Sequence, residues 1–104
     1  MAQTPERKVK DKVTALLKQY NAYFFSPPSN GFGRAGIPDI IGCLHGRYIA
    51  IECKAGKNKP TQLQLRELNL AAKAGGVALI IREDNISDVA LALQTIKDEH
   101  DNTK

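Results

Sequence analysis

Two carboxylates and an amine interrupt the apolar runs of GIPDIIGCLHGRYIAIECK, residues 36–54: Asp39, Glu52 and Lys54. The runs Ile37–Leu44 and Arg47–Cys53 are separated by His45-Gly46, the signal of a β-hairpin with a two-residue turn. In that register Leu44 faces Arg47, so Asp39 falls opposite Glu52 and Lys54 shares their face of the sheet. Directly opposed Cβ atoms lie about 4.5–5.5 Å apart. A bulge at the turn would shift the pairing by one residue. Two carboxylates at that distance repel unless a positive charge offsets them. Mg²⁺ would do so, since it takes hard oxygen ligands and suits one or two carboxylates plus a substrate phosphate. Lys54 beside it could hold or deprotonate a water and stabilise developing negative charge, which is equipment for metal-assisted phosphodiester hydrolysis. The plainer alternative is a Glu52–Lys54 ion pair on a solvated sheet face, with Asp39 near its edge.

The elements that must position these residues are legible around the hairpin. Thr4-Pro5-Glu6 starts a helix, with Thr4 as N-cap and Pro5 at the first helical position. Val9, Val13, Leu16, Leu17 and Tyr20 follow at helical spacing, and Glu6 extends their buried face by one turn. Its plainer role is an N-terminal carboxylate favoured by the helix dipole. Ala22–Ser26 reads as a short strand whose aromatics join the core. Residues 27–36 (PPSNGFGRAG) form a loop, and residues 56–59 a basic turn. Thr61 caps a second helix with Leu65, Leu68 and Ala72 inward, and Gly75-Gly76 ends it. Gln64 shares a face with Leu68 and Ala71, which points it inward, although a glutamine there could equally bond the backbone at the helix start. Val77–Arg82 is a strand, and Ile86, Val89, Ala90, Leu93 and Ile96 mark a last helix, followed after Lys97 by a polar, frayed tail. The order α-β-β-β-α-β-α predicts a single α/β domain, core about 4–97, with a mixed central sheet flanked by helices.

Composition narrows the function. The chain's 42% hydrophobic and 25% charged residues are those of a soluble globular domain, and no run approaches a membrane span or a signal sequence, so a cytoplasmic location is expected. Cys43 and Cys53 fit neither a disulfide framework nor a zinc cluster; they point to opposite faces of the hairpin and read as reduced core residues. Residues 1–66 carry a net charge of +7 and residues 67–104 a net −3, an asymmetry that suggests an anionic partner. His45 lies in the turn and His100 in the tail, so a histidine general base is not expected. The aromatics near Tyr20–Phe25 offer no interleaved platform for stacking bases, which favours recognition through phosphates and DNA shape.

Pro38-Asp39, twelve intervening residues and Glu52-Cys53-Lys54 resemble the PD-(D/E)XK nuclease motif. The wider pattern is similar to the VRR-NUC branch: the helix-borne Glu6, Gly36-x-Pro38-Asp39, Ile51-Glu52-x-Lys54, and Gln64 eleven residues before Gly75-Gly76. The resemblance runs from residue 4 to about residue 82. It implies the restriction-endonuclease-like core and a Mg²⁺- or Mn²⁺-dependent nuclease. Asp39 and Glu52 would be metal ligands with the Cys53 backbone carbonyl, Lys54 the catalytic lysine, Glu6 a further catalytic and metal-contacting residue, and Gln64 a residue of the site. It also implies branched DNA as substrate and a homodimer, as in small phage-type members.

Beyond the metal, Gly33 and Arg34 in the loop ahead of Asp39 could approach a phosphate backbone, and Lys57 and Lys59 would extend a positive rim. The loop could as readily be a plain connection, and the lysines simply solvated. Two other readings stay open: a restriction-type or general repair endonuclease on linear duplex DNA, and a non-catalytic DNA-binding module.

Overall fold

The computed structural model describes residues 3–28 and 34–103. Its elements follow the expected order: α1 (Pro5–Gln19), β1 (Tyr23–Phe25), β2 (Ile40–Leu44), β3 (Arg47–Cys53), α2 (Gln62–Lys73), β4 (Val77–Ile81) and α3 (Ser87–Asn102). The strands form one sheet in the order β1-β2-β3-β4, antiparallel across the first three and parallel between β3 and β4. Thr4 caps α1 by accepting the Arg7 N–H, with Pro5 opening the helix.

The hairpin turn sets the register. His45 (φ 49°) and Gly46 (φ 83°) both take positive φ, the pair of conformations a two-residue primed turn needs to match strand twist. Leu44 therefore pairs with Arg47 and Ile40 with Ile51, without a bulge. Asp39 lies one residue ahead of β2, in line with Glu52.

Each face of the sheet has its own cover. Val9, Val13 and Leu17 of α1 and Val89, Leu93 and Ile96 of α3 close over Ile40, Leu44, Ile49, Ile51, Cys53 and Ile81. The opposite face is covered by α2, which packs on β3 and β4 and buries Leu68. Within α2, Leu65 is half-buried, but Ala72 is exposed and Ala71 takes the inward place expected of it.

Cys53 is buried as expected, but Cys43 is exposed, because it stands on the α2 face of β2, outside the strands that α2 covers. The β1 aromatics divide for the same reason. Phe24 packs against the core while Tyr23 and Phe25 face outward.

Nor is the segment after Lys97 frayed: α3 continues to Asn102. Lys97 pairs with Asp101 one turn on (2.8 Å), Gln94 donates to Asp98, and Glu99 meets Arg47 of β3 at 3.3 Å. His100 stacks on His45 with ring centroids 3.8 Å apart, which engages both histidines at the hairpin turn. Among the described residues, no helix is long and apolar enough to cross a membrane.

Candidate active site

Among the described residues, Glu52 is the one charged side chain in the buried core, with 1% of its surface exposed. Its position on β3 aims it at the α2 face, where two donors meet the same oxygen: Gln64 Nε2 at 2.8 Å and Lys54 Nζ at 3.3 Å, both to Oε2. Oε1 is buried with no hydrogen-bond partner. Burial, and then the neighbouring charge of Asp39, push the Glu52 carboxyl up to about 7, against the opposing pull of Lys54. An isolated buried carboxylate is costly unless something compensates it, and here half of that compensation is missing.

Asp39 completes the arrangement through the backbone. Since β2 begins only at Ile40, the next donor of β3 lacks a strand partner, and Asp39 Oδ2 takes the Cys53 N–H at 2.8 Å. The following N–H, of Lys54, goes the other way, to Ile81 O of β4 at 2.9 Å. A residue's N–H and C=O point to the same side of an extended strand, so the Cys53 carbonyl opens toward Asp39 as well. The Cys53 thiol faces the opposite layer, and burial, reinforced by the Asp39 and Glu52 charges, pushes it up to about 12, out of reach of thiolate chemistry.

Gln64 answers both of its sequence readings at once. Its Oε1 accepts the Thr61 N–H at 2.8 Å while Thr61 Oγ1 accepts the Gln64 N–H at 3.1 Å, a capping box at the start of α2. Its Nε2 remains free to hold Glu52. The helix start is thereby tied to the carboxylate.

Gly36 fixes where that helix start lies. At φ 83° its position for a Cβ would fall against Leu63 O and 2.9 Å from Gln64 N. Gly36→Ala is therefore expected to destabilise the fold by about 2 kcal/mol or more, and to lower activity by displacing Gln64. Urea unfolding checks the first effect; a wild-type midpoint would mean that the close approach is not maintained in solution.

Glu6 does not join the two carboxylates. Among the described residues, no three His, Cys, Asp or Glu side chains converge as a metal cage. The reason lies in the layers: α1 packs on the Ile51 and Cys53 side of the sheet, whereas Asp39 and Glu52 serve the α2 side. Glu6 is half-buried, and its charge is still felt at Cys53.

Arg34 is bound rather than free: Nε and Nη2 both donate to Glu67 Oε1 of α2, at 3.0 and 2.6 Å, and this contact raises the guanidinium pKa. The sequence carried no sign of that cross-link, thirty-three residues in span. Lys57 and Lys59 are exposed on a turn that Glu83 anchors by accepting the Gly56 N–H at 3.0 Å. Gly33 lies outside the described residues.

The donor set fits a hard divalent cation. Glu52 Oε1, Asp39 and the Cys53 carbonyl are all hard oxygen donors, and the orphaned Oε1 is the kind of atom that such an ion would satisfy.

The fold is a mixed α/β core, a four-stranded mixed sheet flanked by helices. No family model matches the chain. It is 34% identical over 73 residues to "Putative nuclease p44" of Acyrthosiphon pisum secondary endosymbiont phage 1, a match covering 69% of this chain and 74% of that relative. A solved structure described as "VRR_NUC domain" superposes with a TM-score of 0.68 at 21% identity, covering 88% of this chain and 97% of its own. Another, "VRR_NUC domain protein", gives 0.63 at 23% identity, covering 93% and 92%. The chain belongs to the VRR-NUC family.

Proposed function

We propose that the chain is an endonuclease that hydrolyses DNA phosphodiester bonds with Mg²⁺, or Mn²⁺ in its place. The observation that carries this reading is the buried, half-compensated Glu52 beside Asp39 and Lys54. Asp39, Glu52 and the Cys53 carbonyl would hold the cation, which supplies Lewis acidity toward a phosphate oxygen and a more acidic bound water. Lys54 would orient the attacking water and offset the negative charge that grows on the phosphate oxygens. Gln64 keeps Glu52 in place, and Glu6 contributes its charge from the opposite layer. Lys57 and Lys59, with the loop carrying Gly33 and Arg34, would meet the phosphate backbone, so binding should weaken steeply with salt.

Branched DNA is the substrate we favour, on the family resemblance. A homodimer acting in the cytoplasm, the host's if the chain is phage-encoded, would present two sites about a two-fold axis to a two-fold junction. A linear-duplex nuclease is the second reading. A DNA-binding module without catalysis is disfavoured by the buried charge of Glu52, which a purely binding surface does not need.

Four-way junction, flap, single-stranded and linear duplex DNA incubated with Mg²⁺, Mn²⁺ or EDTA test the proposal. Cleavage of branched forms with metal and none in EDTA is expected. Equal cleavage of linear duplex would shift the reading to the second, and cleavage of nothing would defeat both.

A further inference from the structure

The face of the sheet that carries Asp39, Glu52 and Lys54 continues away from the site as a row of exposed rings. Alternation places Phe25, Ile41 and Ala50 in the next row and Tyr23, Cys43 and Tyr48 in the one beyond. Because α2 packs on β3 and β4, this face of β1 lies open, with Tyr23 70% exposed and Phe25 45%, and Tyr48 near the start of β3 is still 41% exposed. The Tyr23 and Phe25 rings sit 6.3 Å apart and tilted by 55°. At about 3.4 Å per residue, these rows lie roughly 7 and 14 Å along the strand from the carboxylates.

From this arrangement we infer that the open sheet face is a base-stacking platform for an unpaired strand leading into the cleavage site. The inference rests on the nuclease reading for its location. Three features favour bases as the occupant. Each large exposed side chain on the face is aromatic, and aromatic rings stack on any base without sequence preference. The face is continuous with the row of Asp39 and Glu52, so a strand held there would run over it. Ala50 is fully buried, so the open face comprises Tyr23, Phe25, Ile41, Cys43 and Tyr48, whereas a stable protein interface engages about 20–30 residues a side, which argues against a second copy as the main occupant. Neither of the two rows beyond Asp39 and Glu52 bears a charge that would repel phosphate. The exposure of Tyr23 and Phe25 contradicts the expectation that the aromatics near Tyr20–Phe25 all join the core.

The test compares a fluorescent oligothymidylate with an abasic phosphodiester chain of equal length, in EDTA and at matched salt, by anisotropy. Wild-type protein should prefer the base-bearing chain, and Tyr23→Ala or Tyr48→Ala should each reduce that preference by about 5-fold or more. Tyr23→Phe, which keeps a ring, should retain it. The chain has no Trp, so quenching of tyrosine emission by oligothymidylate gives an independent readout at these exposed positions. Equal binding of the two chains by wild-type protein would overturn the inference. So would a preference untouched in both alanine variants, including the case where they only convert a sedimenting dimer to monomer, which would assign the face to a second copy. The binding assay needs no catalysis, so a stacking preference without any cleavage would sink the nuclease reading alone. Metal-dependent cleavage without base preference would sink only the platform.

Discussion

Lys54→Ala should reduce kcat for DNA cleavage by about 10²- to 10⁴-fold, the usual contribution of a positioned proton-transfer or charge-stabilising group, while leaving the fold and DNA affinity close to wild type. The expectation follows from placement. Lys54 is the first residue beyond β3, its N–H is fixed to Ile81 O, and its ammonium lies 3.3 Å from Glu52 Oε2. The side chain is therefore held by backbone and ion pair before any substrate arrives. Lys54→Arg should not restore the rate, because a planar guanidinium does not reproduce a compact ammonium in so enclosed a position. Single-turnover kinetics with anisotropy for binding separate the two effects. A Lys54→Ala protein that binds and cuts normally would return Glu52 and Lys54 to the status of a structural ion pair.

Glu52→Gln should abolish cleavage and yet raise the stability of the metal-free protein at alkaline pH. The ordinary Glu value of 4.5 is pushed up to about 7 in the folded chain, by burial first and the Asp39 charge second. Between those two values the folded protein keeps a proton that the unfolded chain has released. Stability conferred by this group is therefore present below about pH 4.5, falls as pH rises toward 7, and stays low above it. The full difference is of the order of 3 kcal/mol. Urea melts at about pH 5 and about pH 8, taken as wild type minus Glu52→Gln so that other carboxylates cancel, should show this loss. Mg²⁺ or Mn²⁺ at the higher pH should restore wild-type stability, by about 2.7 kcal/mol at one hundred times Kd, with little effect on the glutamine variant. A difference that does not change with pH would mean that Glu52 ionises at its ordinary value.

Much of this site could be read from the chain because it depends on local rules. His45-Gly46 permits one tight turn, that turn sets the register, and the two-residue period then puts Asp39, Glu52 and Lys54 together. Thr61 and Gln64 were likewise legible as a helix start whose glutamine looks inward. What the sequence did not disclose depends on where α2 comes to rest. Its seat over β3 and β4 leaves Cys43 and Tyr23 in the open although their types suit a core, and it brings Glu67 to Arg34. The place of Glu6 was hidden for a related reason: helical spacing shows which side of α1 is buried but not which layer of the sheet that side meets. The length of α3 was hidden because a polar segment reads as frayed until Arg47 and His45 of the hairpin are seen to engage it.

The central question for this protein is whether Glu52 serves a metal-dependent cut. The direct measurement is cleavage of a four-way DNA junction by wild-type protein and Glu52→Gln, side by side in Mn²⁺ and in EDTA, with melting curves showing both to be folded. Cleavage by the wild type in Mn²⁺ alone, and by the glutamine variant in neither, is the expected result. Cleavage that persists in EDTA, or in folded Glu52→Gln, would contradict it.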